Sequence, residues 1–323
     1  MLVTRGARAA SLPPVALTIG NFDGVHKGHQ AILARLIREA QARSLVACVL
    51  TFEPHPREFF ERMQRSSREV AAPQSAPTRL TSLREKLELL AAQGVGRAHV
   101  QRFARGFAAM PAEAFVEQIL HTVLRARWIL IGEDFRFGAK RTGDVALLSA
   151  LSNRFGFEVE LVPTVEHAGS RVSSSSVRAA LREGDLARAE TLLGRPYSIS
   201  GRVVRGNKLG RELGFPTANI QLQHNRPPLM GIYAVRVHGV GERVRDGVAS
   251  LGVRPTIKEG SGQAVLEVHL FDFKEDLYRR HLRVDFLHKL RDEEKYPDLE
   301  TLRAQIARDC EAARSYLSEH GND

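Results

Sequence analysis

Between residues 15 and 162, short apolar runs of strand type alternate with stretches of helical periodicity, and this alternation constrains the fold more than any other feature of the chain. The runs lie at 15–19, 45–52, 98–103, 128–131 and 157–162, with helical stretches such as 83–93 and 112–124 between them. Strands that alternate with helices specify a parallel sheet covered on both faces. Ligands of such sheets bind beyond the carboxyl ends of the strands, so the loops after these runs are where chemistry is expected. The polar segment 57–77, with Pro73 and Pro77, reads as a loop. Beyond residue 196 the pattern changes. Short apolar or alternating segments at 197–204, 233–240, 247–251, 265–271 and 282–287, separated by Gly, Pro and Asn, specify an antiparallel barrel or sandwich. Helical periodicity returns at 298–317 as a closing helix. Gly184-Asp185 interrupts a helical pattern between the two regimes, which sets two domains at 1–184 and 185–323.

Composition narrows the class. A chain of 323 residues with 43% hydrophobic residues can fill two ordinary cores. Two cysteines, Cys48 in an apolar run and Cys310 in a helical pattern, make no disulfide framework and have no metal-ligand spacing. No apolar run reaches membrane-spanning length, and Arg5 and Arg8 precede only a short, proline-interrupted stretch, so a cytoplasmic protein without a membrane partner is expected. The formal charge of +10 fits nucleic acid, and it fits equally an enzyme whose substrates are phosphorylated. The basic residues are scattered, and aromatics make up only 7%, without the dense basic block of a nucleic-acid surface, so nucleic acid is the disfavoured partner.

The first run leads into Gly20-Asn21-Phe22-Asp23-Gly24-Val25-His26-Lys27-Gly28-His29, followed by a helical pattern from Ala31. Glycines at a strand-to-helix turn let the backbone approach a ligand, and the helix start offers N–H groups to a phosphate. His26 and His29, three apart, share a face if the helix has begun, and imidazoles there can donate to phosphate oxygens. After the second run, Glu53-Pro54-His55-Pro56 presents His55 and Glu53 on a rigid turn. After the fourth come Gly132-Glu133-Asp134-Phe135-Arg136-Phe137-Gly138 and Lys140-Arg141, a mix of acid, aromatics and cations suited to a flavin ring and a phosphate. Ser173-Ser174-Ser175-Ser176 stands before the helical positions Val177, Ala180 and Leu181, with Arg178 on the first turn, so it is a candidate phosphate-holding N-cap as well as a serine-rich linker.

The second half has its own cluster. The string from Gly201 to Gly206 begins like a P-loop, but Asn207-Lys208 stands where Lys then Ser or Thr is required. It continues through Gly210 to Gly214-Phe215-Pro216-Thr217-Ala218-Asn219, in which Thr217 and Asn219 offer oxygen ligands to Mg²⁺. Glu267 and His269 fall on one face of an alternating segment, and a Glu facing a barrel mouth can accept a proton from an attacking alcohol. Gly252 to Thr256 and Leu290-Arg291 are expected at the same mouth, with Arg291 as a phosphate or flavin contact.

The segment 20–29 resembles the signature that nucleotidyltransferases share with class I aminoacyl-tRNA synthetases, and the Lys-Met-Ser-Lys-Ser loop of the latter is absent. In its longer form it is similar to that of bacterial bifunctional riboflavin kinase/FAD synthetases, and the resemblance extends from Thr18 to about Asp309 through both motif sets. It implies an α/β nucleotidyltransferase domain, Rossmann-like with a parallel sheet, followed by an antiparallel β-barrel domain with a C-terminal helix. It implies an enzyme that phosphorylates riboflavin with ATP to FMN in the barrel and adenylylates FMN to FAD and pyrophosphate in the first domain, with Mg²⁺. Carried residue by residue, His26 and His29 bind ATP phosphates, with Gly20, Asn21, Phe22 and Gly28 shaping the site. Asp134 and Phe135 contact flavin and nucleotide, while Ser174, Ser175 and Arg178 close on the pyrophosphate. Gly206, Lys208 and Gly210 cradle the kinase nucleotide, Thr217 and Asn219 hold Mg·ATP, Glu267 is the base and Arg291 a flavin contact. The chain departs from the family within Ser173–Val177, where a Ser stands at a position at which Thr is usual, at Ala249-Ser250-Leu251 in place of Ala-Asn-Ile, and at Tyr278-Arg279 in place of Tyr-Gly. The reading that competes with the enzyme is an RNA-binding protein built on the same two domains, supported by charge alone. An enzyme with one working activity is a further alternative.

Overall fold

Contacts separate the chain into two units, one comprising Met1–Pro77 and Leu83–Ser173 and the other Thr78–Ser82 and Ser174–Asp323. The structure is a computed structural model and describes residues 1–6, 11–66, 76–163, 166–167, 170–206, 209–222, 226–254 and 263–321.

The first unit is built on six strands: β1 (Leu2–Thr4), β2 (Val15–Ile19), β3 (Val46–Glu53), β4 (Arg97–Arg102), β5 (Ala126–Gly132) and β6 (Glu158–Val162). They form one sheet in the order β1-β4-β3-β2-β5-β6, and every neighbouring pair is parallel. All five residues of β2 are buried, which fits its central place. Val15, Leu17 and Ile19 join one core with Phe115, Val116, Leu120 and Leu148. Ala16 faces the opposite core, made by Leu33, Leu36, Ala40, Leu90 and Leu130. The helices α1 (Lys27–Ala42) and α3 (Leu83–Ala92) therefore cover one face.

Helix α2 (Pro56–Ser66) occupies the first part of the segment expected as a loop; Phe59, Phe60 and Met63 give it an apolar stripe within a polar composition. Two short helices, α4 (Arg105–Ala108) and α5 (Ala112–Ala114), follow, and the latter runs into a π-helical stretch, Phe115–Val123. This stretch and α6 (Val145–Phe155) cover the second face of the sheet. Asp144 caps α6 through Leu147 N, and Gly156 in the left-handed region ends it. Two-residue strands β7 (Glu166–His167) and β8 (Ser170–Arg171) pair near the end of the unit.

The second unit opens with α7 (Ser174–Glu183) and α8 (Leu186–Leu193). Six strands then close a barrel: β9 (Tyr197–Val204), β10 (Ala218–Ile220), β11 (Gly231–His238), β12 (Arg245–Arg254), β13 (Gln263–Leu270) and β14 (His281–Arg291). Their order is β10-β13-β12-β11-β14-β9, all antiparallel, with a short helix α9 (Leu209–Glu212) between the first two. Leu266, Val268 and Leu270 are buried inside, so the residues between them face outward. The closing helix α10 (Leu299–Glu319) lays Cys310, Ala313 and Leu317 on Ile232, Ala234 and Val248 of the outer face. No helix among the described residues is long and apolar enough to cross a membrane.

Candidate active sites

The turn after β2 is held in an unfavourable backbone conformation. Phe22 and Val25 have φ of 48° and 43°, and a β-branched residue there is a genuine outlier. Such conformations persist where the surroundings over-determine them, which is common at ligand sites. His26 caps α1, its Nδ1 accepting the His29 backbone N–H at 3.3 Å. That acceptor role puts the ring proton of a neutral His26 on Nε2. The two imidazoles stack with centroids 3.7 Å apart, and Phe22 stands 4.8 Å from His29. Gly28 lies so close to the His26 ring that a Cβ would sit 3.2 Å from it, and as near to the Val172 carbonyl. Burial first, then the charges of His26 and Lys86, hold the His29 proton affinity well below the ordinary histidine value. Among the described residues, His29 Nδ1 and Asn21 Oδ1 are buried without a hydrogen-bond partner, as expected of groups that a ligand completes.

Lys86, which belongs to none of the motifs of the chain, is 3% exposed on α3. Its Nζ lies 3.5 Å from Thr51 Oγ1 at the end of β3, and Thr51 in turn donates to the Asn21 carbonyl at 3.2 Å. A lysine in a helical Leu-Arg-Glu-Lys-Leu string carries no local sign that it will be buried beside a glycine turn.

Gly20, Asn21, Asp134 and Phe135 come together in a cleft of about 640 Å³ at the carboxyl ends of the strands. Its wall is a train of phenylalanines. Phe103 packs against Phe59, Phe60 and Phe107 at 5.4, 5.8 and 5.6 Å, and Phe115 and Phe135 each pack on Phe137. Arg57, Arg136, Lys140 and Arg141 supply cations, and His55 also lines the cleft. An apolar, aromatic cavity of this size with convergent polar groups suits a fused heteroaromatic ring bearing a phosphate. Glu53 ends β3 and is not among the cleft-lining residues.

Ser174 and Ser175 open α7, on which Arg178 is 8% exposed and donates through Nε to the Thr78 carbonyl. Both partners of this bond belong to the second unit.

On the barrel, register places one row of residues side by side: Val204, Asn219, Glu267, Ser250, Ile232 and Arg291 on successive strands. Glu267 therefore faces outward from the wall of the barrel, where the sequence reading had expected a mouth, because its neighbours Leu266 and Val268 fill the interior. Asn219, 8% exposed, lies against Gly206, and both line a cleft of about 320 Å³ with Thr217, Arg211 and Lys274. The Gly210 backbone packs on Phe215 and Thr217. Arg291, expected as a flavin contact, meets the closing helix: its Nε and Nη2 donate to Asp309 of α10 at 2.8 and 2.7 Å, and Nη1 donates to the Asp292 carbonyl. Lys208, Asn207 and Thr256 lie outside the described residues. Among those described, no group of three His, Cys, Asp or Glu is disposed to hold a metal ion.

A parallel sheet with a histidine-bearing glycine turn, followed by a closed barrel carrying an Asn–Glu row, is the architecture of a two-unit transferase of nucleotidyltransferase and kinase type. Residues 9–176 match the FAD synthetase family and residues 193–317 the riboflavin kinase family. The chain is 46% identical over 98% of its length to the bifunctional riboflavin kinase/FMN adenylyltransferase of Escherichia coli (strain K12), covering 98% of that protein. It is 44% identical to that of Haemophilus influenzae, covering 98% of this chain and all of the relative. A solved structure described as a macrolide-efflux protein from Streptococcus pneumoniae aligns with a TM-score of 0.78 and 29% identity, over 97% of this chain and 99% of that one. The chain belongs to the family of bifunctional riboflavin kinase/FMN adenylyltransferases.

Proposed function

We propose that the two activities of this family are divided between the two units, FMN adenylylation in the sheet unit and riboflavin phosphorylation in the barrel unit. The observation that carries the division is the presence of two separate clefts, each beside its own chemistry-bearing residues. In the first, the FMN phosphate oxygen attacks the α-phosphorus of ATP, a P–O bond forms, and the bond to the departing pyrophosphate breaks. His26 and His29 donate to the phosphate oxygens as charge shifts onto the leaving group, and the helix start adds backbone N–H groups. The phenylalanine wall, with Asp134 and Phe135, takes the flavin ring. The roles of Ser174, Ser175 and Arg178 toward pyrophosphate rest on the family resemblance.

In the barrel, Glu267 takes the proton of the ribityl 5′-hydroxyl as its oxygen attacks the γ-phosphorus and ADP leaves. Thr217 and Asn219 fit a hard cation through neutral oxygen donors beside the close-packed Gly206, and Mg²⁺ held there neutralises phosphate charge. Positioning and electrostatics suffice for both reactions. A cytoplasmic location and small-molecule partners fit an enzyme that uses ATP and small flavins.

The test is a pair of variants assayed on each half-reaction. His29→Ala is expected to abolish FAD formation from FMN and leave riboflavin phosphorylation intact, and Glu267→Ala to do the reverse. Loss of both reactions in either folded variant contradicts the division.

A further inference from the structure

The turn that follows β13 forms one wall of the 320 Å³ cleft on the barrel, where Phe273, Lys274, Leu277 and Tyr278 line it together with Thr217 and Asn219. Its far end is fastened by main chain: Arg279 N donates to the Val203 carbonyl at 3.1 Å, and Val203 N to the Arg280 carbonyl at 2.9 Å. Its near end passes through Asp272, whose φ of 54° lies in the left-handed region. Aspartate tolerates that region better than most residues, yet it stays there only where its surroundings hold it. Arg314 of α10 supplies the hold. Its Nη1 and Nη2 donate to the two carboxylate oxygens of Asp272 at 2.9 and 3.0 Å, a two-pronged pair. The same guanidinium lies 4.2 Å over the ring of Phe271, which is buried in the core that α10 shares with the barrel.

Exposed ion pairs are usually worth little, and the side chains here are 49% and 78% exposed. This pair differs in geometry: both prongs are made, and the arginine plane rests on a buried ring, so little freedom is lost in meeting the carboxylate. Hydrogen bonding to Arg314 holds the Asp272 carboxyl below the usual carboxylate range, so the pair stays ionised at neutral pH. Between this pair and the main-chain bonds of Val203, the turn is fixed at both ends. We propose that Arg314 is a positioning residue for riboflavin phosphorylation: by holding Asp272 it sets the wall of the cleft against which the nucleotide binds. The closing helix thus acts on the nucleotide side of the reaction without touching substrate. The proposal rests on the kinase reading of the barrel.

It is tested on the full chain by the KM for ATP in riboflavin phosphorylation. Arg314→Ala is expected to raise that KM about fivefold, the scale of one well-aligned exposed pair, with the KM for riboflavin unchanged. Arg314→Lys, which keeps the charge without the fork, recovers part of the loss. The decisive variant combines Arg314→Ala with Asp272→Gly. Glycine takes a positive φ at no steric cost, so the turn no longer needs the clamp and the KM for ATP returns toward the wild-type value. FMN adenylylation, with its own KM for ATP, stays constant throughout. An unchanged KM for ATP in Arg314→Ala overturns the proposal. So does a loss that glycine at 272 fails to rescue, or one shared equally by the KM for riboflavin, since either would make Arg314 only a fastening of the helix. A wild-type chain that leaves riboflavin unphosphorylated overturns the kinase reading, and the proposal with it.

Discussion

His29 is held neutral first by burial, then by the neighbouring His26 and by the Lys86 ammonium. Neutral imidazole keeps one N–H to donate and avoids a second buried charge beside Lys86. The linkage sign follows. The folded state binds fewer protons than the unfolded state between the lowered folded value and the unfolded value near 6.5, so stability is lost as pH falls below about 6.5 and is flat above it. Thermal unfolding of the wild type is expected to fall between pH 7 and pH 5, with a shallower slope in His29→Gln. An equal slope in the two contradicts the assignment. Lys86 acts at the same site from behind Thr51. Lys86→Met, close in shape but without charge, is expected to lower adenylylation kcat/KM by about tenfold or more and leave phosphorylation unchanged. Equal loss of both would show a structural role. The thiols are inert by contrast: burial pushes Cys48 up to about 12 and Cys310 up to about 11. Neither is expected to react with a thiol reagent at pH 8 until the chain unfolds.

At the scale of elements, long periodic segments were legible and short or disguised ones were not. The buried run of β2 and the alternation of β9 declare themselves because neighbouring layers demand their patterns. The three residues of β1 are too few to show a period, and β10 is as short. Helix α2 was hidden by its charged residues, since only Phe59, Phe60 and Met63 interrupt its polar composition. Motif residues were legible at the turn of His26 and His29 because the chemistry itself fixes residue type and spacing. Lys86 was not, because tertiary packing alone brings it to the turn. Arg291 sits one step along the row from Ile232 and meets Asp309 on α10, a partner that no local pattern announces. That pair is largely buried, at 18% and 7% exposure, so leaving one partner alone is costly. Asp309→Asn is expected to destabilise the second unit by roughly 3 kcal/mol, read by denaturant unfolding. A change below about 0.5 kcal/mol, as at ordinary surface positions, would show that α10 is fastened by its apolar face alone.

For the whole molecule, the change from parallel to antiparallel grammar near residue 196 was the decisive sequence signal, and two units with separate clefts are its outcome. Helix α7 groups with the barrel unit, along with the excursion Thr78–Ser82, which no local pattern announces. The formal charge of +10 is consistent with substrates that all carry phosphate or receive it. The central claim is that one chain performs two successive transfers on flavin. Its most direct test is a time course in which purified protein is mixed with riboflavin, ATP and Mg²⁺ and the flavins are separated by chromatography. FMN rising first and FAD following at its expense is the expected result. Riboflavin unchanged throughout, or FMN accumulating without FAD while supplied FMN also stays unconverted, would contradict it.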